Sequence, residues 1–102
     1  MTLPLRWTEH AVGDLSTIAE YLSLSSPIYA EQLVDRIVRQ LEQACAYPES
    51  GRMVPEVAAP DIRELQVPPY RVMYRVLTDW IEVVSVTHSR RNFSELPRDS
   101  AD

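Results

Sequence analysis

The sequence predicts an α+β domain of order β-α-α-β-β-β, with an antiparallel helical hairpin packed on one face of an antiparallel sheet. Three observations carry this. Two long stretches place apolar residues at helical spacing, a Ser-Pro pair separates them, and the last third alternates with a period of two.

Leu3 to Trp7 reads as a first strand, with Leu3, Leu5 and Trp7 on alternate positions. Thr8 is an N-cap, and Glu9 follows in the first turn, where the helix dipole favours an acid. Ala11, Leu15, Ile18, Ala19 and Leu22 then form one face of a helix running from Glu9 to about Leu24. Ser26-Pro27 restarts a helix, because a proline at the first helical position gives up no hydrogen bond. Its stripe is Ala30, Leu33, Val34, Ile37, Val38, Leu41, Ala44 and Cys45, and Tyr47-Pro48 ends it. The short connection makes the two helices an antiparallel pair. Arg52 to Pro60 is irregular. Ile62–Val67, Tyr70–Leu77 and Trp80–Thr87 are strands, joined by turns at Pro68-Pro69 and Thr78-Asp79 that are tight enough to make neighbours antiparallel.

The chain of 102 residues is expected to be a single domain over 1–102, frayed over 97–102. At this length roughly 65% of the unfolded surface is buried without staples. No apolar run approaches the length of a membrane span, and residues 1–6 lack the charged start and apolar stretch of a signal peptide. The single cysteine, Cys45, lies on an apolar helix stripe and reads as a buried, inert thiol. A cytoplasmic location is therefore expected. Two distant histidines and no carboxylate or cysteine cluster make a metal site unexpected. With only Gly13 and Gly51 there is no phosphate-cradling loop, and no cofactor is expected.

The net charge of −5 argues against a general polyanion binder. The charge is uneven, however. Arg63, Arg71, Arg75, Arg90 and Arg91 face only Glu64, Asp79 and Glu82 across the same stretch. Every basic residue is arginine, whose planar fork suits carboxylates and phosphates. On the strand from Tyr70, alternation turns Tyr70, Val72, Tyr74 and Val76 toward the helices. Arg71, Met73, Arg75 and Leu77 then point to a face that nothing in the chain is expected to cover. Arg71 and Arg75, with Arg63 on the next strand, read either as a cationic patch or as a solvated face paired to Glu64 and Glu82. His88 reads either as a general acid at a strand end or as a packing residue. Glu56, between prolines in a loop, reads as a base or as a solvated carboxylate.

These segments, in order, resemble the ParE branch of the RelE/ParE toxin superfamily. The matching pieces are Trp7-Thr8 with Ala11 and Asp14 to Tyr21; Ser26-Pro27 with Ala30; Pro48 to Arg52 with Val54-Pro55-Glu56; Ile62 to Leu65; Tyr70 to Tyr74; and Val84 to His88 with Arg90-Arg91. The resemblance implies a toxin of a type II toxin–antitoxin module. It implies a non-enzymatic inhibitor of DNA gyrase, bound and neutralised by a ParD-like antitoxin in a hetero-oligomer that reaches operator DNA through the antitoxin alone. Arg63, Arg71, Met73, Arg75, His88, Arg90 and Arg91 are then the expected target- and antitoxin-binding residues, with Met73 an exposed apolar contact. Two alternatives stay open. One is a ribosome-dependent mRNA endoribonuclease, for which the resemblance places Glu56, Arg71 and His88 as base, phosphate cation and acid. The other is a weakly active toxin retained as an antitoxin partner.

Overall fold

The computed structural model describes residues 2–57 and 59–89. Within them run β1 (Leu5–Trp7), α1 (Glu9–Ser23), α2 (Pro27–Ala46), a 3-10 turn (Pro48–Ser50), β2 (Arg52–Met53), β3 (Ile62–Val67), β4 (Tyr70–Val76) and β5 (Ile81–His88). The expected α+β order is the observed one. The caps form as read: Thr8 accepts from the Ala11 amide at 3.0 Å and Ser26 from the Tyr29 amide at 3.1 Å.

The sheet has five strands in the order β1-β5-β4-β3-β2. Two features go beyond the sequence reading. Arg52–Met53, expected as irregular, pairs antiparallel with Arg63 and Glu64 as a short edge strand. And β1 lies parallel to β5, with Leu5 opposite Ile81 and Trp7 opposite Val83. Short turns fix direction only between strands joined by them, and β1 meets β5 through the fold instead.

Where β1 ends, α1 takes over the edge of β5. Thr8 donates its hydroxyl to the Val83 carbonyl at 3.0 Å, and Asp14 accepts from the Val86 amide at 3.0 Å. Between them the β4–β5 register shifts at Met73/Tyr74, so Val83 and Val86 both face the helices although they are three positions apart. The main core lies between hairpin and sheet. Leu33, Ile37, Leu41 and Ala44 of α2 and Ala11 of α1 meet Leu65, Val72, Tyr74, Ile81, Val83 and Val86.

The other face of the sheet was expected to lie open, and it does not. Val54, Ile62 and Met73 form a second small core there, with Ala59 and Val84 packed against it. The segment after β2 folds back over the sheet and packs Val54 and Ala59 against Ile62, Met73 and Val84. Met73 is only 4% exposed and Arg71 only 7%.

Candidate functional site

Arg71 is the centre of the chemistry on this face. Its Nε donates to Glu64 Oε1 at 2.6 Å, and its two terminal nitrogens donate to the two oxygens of Glu56, each at 3.1 Å. Glu64 also takes a bond from Arg52 Nε on β2. Four charges therefore alternate across β2, β3, β4 and the covering segment, with Glu64 fully buried at the middle. A carboxylate so placed needs cations, since burying an unpaired charge is costly. Sheet register brings them: Glu64 sits opposite Arg52 on β2 and Met73 on β4, and Arg71 is two residues along from Met73, on the same face.

The forked bond from Arg71 holds the Glu56 carboxyl below the ordinary carboxylate range, and Arg52 acts in the same direction. Donating to Glu56, and then to Glu64, holds Arg71 protonated more firmly still. Glu56 is thus a weak base, and Arg71 is a cation already neutralised by two acids.

The arginines expected as one patch are dispersed. Arg63 pairs with Tyr74, which faces the helices, and it donates to the carbonyls of Pro60 and Gly51, each at 3.1 Å. Arg75 pairs with Glu82 and reaches it at 3.4 Å, with Asp61 at 4.0 Å. Met73, expected as an exposed contact, is buried in the second core. Two reasons account for this: the β3–β4 register puts Arg63 on the face of Tyr74, and alternation assigns Met73 and Arg75 a face but says nothing of what folds over it.

His88 lies on the other side of the sheet from Arg71. It is paired with Tyr70, a member of the helix-side core, and the two rings meet edge to face at 5.6 Å. Arg71 is paired with Thr87, on the opposite face. Glu56 and Arg71 come together, and His88 does not join them. Arg90 and Arg91 lie outside the described residues.

A second surface went unread in the sequence. Trp7, Val12, Leu15, Ser16, Ala19 and Val34 line an apolar trough of about 410 Å³ where α1, α2 and β1 meet. Val12 is 49% exposed there, and Tyr21, Leu24 and Ile28 continue the apolar exposure toward the hairpin tip. A signal was available: Val12 and Val34 widen the two apolar stripes beyond what one buried face requires.

The family model for the ParE toxin of type II toxin–antitoxin systems, parDE, matches residues 5–93. The chain belongs to this ParE toxin family. A relative from Caulobacter vibrioides, "Toxin RelE2", is 34% identical over 86 residues, covering 83% of this chain and 93% of the relative. Among solved structures, the chromosomal ParDE toxin–antitoxin system from P. aeruginosa superposes with a TM-score of 0.69 at 27% identity, over 85% of this chain and 96% of that one. The RelBE2 toxin–antitoxin complex of Mycobacterium tuberculosis shares the fold, with a TM-score of 0.57 at 18% identity over 86% of this chain and 99% of that one.

As a ParE-family chain, the protein shows why Pro48 to Arg52 holds its pattern. Tyr74 donates its hydroxyl to the Pro48 carbonyl at 2.7 Å and accepts from the Gly51 amide at 3.0 Å. A Cβ on Gly51 would stand 2.5 Å from that hydroxyl and 2.8 Å from the Glu64 carbonyl oxygen. Glycine is needed here for close approach, since the backbone itself is extended at φ −74. Arg52 is then delivered to Glu64. Glu64 was read only as a surface counter-charge, and its burial could not be inferred from period-two spacing.

Proposed function

We propose that this ParE-family chain is a toxin that acts by binding DNA gyrase rather than by cutting RNA, and that a ParD-like antitoxin neutralises it. The observation that carries the target reading is the separation of His88 from the Glu56–Arg71 pair by the thickness of the sheet. Ribonucleolytic cleavage at a 2′-hydroxyl needs base, cation and acid within hydrogen-bond reach of one phosphate. Here the cation is neutralised, the base is weakened by its bond to it, and the acid belongs to the other face. A stoichiometric inhibitor needs no such convergence.

The antitoxin reading rests on the toxin–antitoxin systems among the structural relatives and on the hairpin trough. An amphipathic segment laid in an apolar groove is a common mode of peptide recognition. The net charge of −5 fits a chain that leaves operator DNA to its partner. Among the described residues no helix is long and apolar enough to cross a membrane. We place the complex in the cytoplasm with its target.

Purified chain added to gyrase should inhibit supercoiling and trap cleaved DNA, and it should leave messenger RNA intact on translating ribosomes. Cleaved messenger with untouched gyrase would make the protein a RelE-type endoribonuclease, the reading favoured by the name of the Caulobacter relative. Neither effect, with tight antitoxin binding, would leave a toxin retained as a partner only.

A further inference from the structure

Among the described residues, the cations free to meet a ligand lie away from the sheet face on which the sequence places them. Arg52, Arg71 and Arg75 are bound to carboxylates, and Arg63 is tied to backbone carbonyls. Arg6 is stacked over Trp80 at 4.1 Å. Arg36 and Arg39 differ: among the described residues neither pairs with a carboxylate, and Arg36 makes only a long bond of 3.4 Å to the Pro68 carbonyl. Both line a groove of about 220 Å³ with Gln40 and Gln43, closed on the far side by the β3 edge at Gln66 and by Pro68. No acid lines it. Among the described residues the edge of β3 beyond Glu64 carries no strand, because β2 pairs only with Arg63 and Glu64.

We infer that this groove between α2 and the β3 edge is a docking site for an extended acidic peptide segment of a protein partner. Arg36 and Arg39 each take one carboxylate, and the peptide backbone runs beside the open edge at Gln66. The spacing supports this. Helical neighbours three apart stand roughly 5–6 Å apart at Cβ, and alternate side chains of an extended segment repeat at about 7 Å. Two acids separated by one residue therefore match the two guanidiniums, each of which can bind a carboxylate through two parallel bonds. The exposed Asp35 and Glu42 on the same helix, with the net charge of −5, oppose a long polyphosphate but tolerate two local charges. The groove is separate from the hairpin trough and does not depend on the gyrase reading.

The test is a titration of the isotope-labelled full chain with a short peptide alternating Asp and Val, its Asn counterpart, and a short DNA duplex. The Asp peptide should shift the amides of Arg36, Arg39, Gln43 and Gln66, more weakly as salt rises, and the Asn peptide should not. The double variant Arg36→Gln/Arg39→Gln should weaken binding about tenfold, as loss of two charge-assisted pairs implies. Both sites are exposed helix positions where glutamine is nearly as good a helix former, so an unchanged melting curve separates lost binding from lost folding. Unmoved groove amides, equal binding of the Asn peptide, or tighter binding of the duplex at these amides would each overturn the inference.

Discussion

Arg71 and Glu64 form an ion pair at 2.6 Å in which both side chains are buried, Arg71 at 7% and Glu64 at 1% exposure. Such a pair contributes little net stability against a well-packed apolar pair, yet breaking it by removing one member costs about 3–5 kcal/mol. Arg71→Met should therefore destabilise the fold by that order, because Glu64 keeps only Arg52. The double variant Arg71→Met/Glu64→Leu should recover part of the loss. Urea denaturation of the two singles and the double measures the coupling, and additive losses would show that the pair does not act as a unit.

Glu56 ties the covering segment to the sheet through the two oxygens that Arg71 holds at 3.1 Å. Its folded pKa lies below the usual 4.5. The stabilisation is thus fully present above about pH 4.5 and is lost as pH falls below it through the folded value. Glu56→Gln should cost about 1 kcal/mol at neutral pH, the carboxylate being partly exposed. The gap between wild type and variant should close as pH drops below 4.5. A gap that is constant with pH would mean that the carboxylate's charge contributes nothing.

The elements of this fold were legible because local chemistry declares them. Thr8 and Ser26 cap their helices, Pro27 starts one, and β4 alternates as read. The site was less legible for a physical reason. Alternation put Arg71 and Met73 on one face, and that is where they lie. The closure of that face by Val54, Ala59 and Glu56 is a tertiary event in a segment with no periodicity. His88 shows the second limit. The β4–β5 register shift at Met73/Tyr74 resets the alternation of β5, so the face of its last residues cannot be counted from its first. Burial of Glu64 is the third, since nothing in Ile62-Arg63-Glu64-Leu65 says that two arginines will meet there.

Asp14 joins α1 to the sheet by accepting from the Val86 amide at 3.0 Å, beyond the last residue that β1 can pair. Asp14→Ala leaves that partly buried amide without its acceptor and should cost about 1–3 kcal/mol. Asp14→Asn, which keeps a carbonyl oxygen, should cost less. Faster hydrogen exchange of the Val86 amide in Asp14→Ala is the local readout, and unchanged protection would remove this bond from the account.

Gly51 and Tyr74 should behave as a coupled pair. A methyl group on Gly51 meets the tyrosine hydroxyl first, at 2.5 Å, and the Glu64 carbonyl second, at 2.8 Å. Gly51→Ala should cost about 1–3 kcal/mol through overpacking. Tyr74→Phe should cost about 1–3 kcal/mol by stranding the buried Gly51 amide. Because Phe removes the nearest clashing atom, the double variant should lose less than the sum of the singles. Chemical denaturation decides it, and strict additivity would place the clash at the Glu64 carbonyl and the aromatic ring, both of which Phe keeps.

The hairpin trough gives the functional prediction that separates partner from target. Ala19 lines the trough, whereas Thr17 is exposed on the same helix outside it. Ala19→Glu places a charge on an apolar docking surface and should weaken ParD-like antitoxin binding by at least about tenfold, as a disrupted interface centre does. Thr17→Glu changes the same charge nearby and should leave binding unaltered. Toxicity should persist in both variants, so cells carrying Ala19→Glu should escape rescue by the antitoxin while those carrying Thr17→Glu are rescued. Equal rescue of the two would move the antitoxin off this face. Loss of toxicity in Ala19→Glu with the fold intact would instead make the trough part of the surface that meets the target.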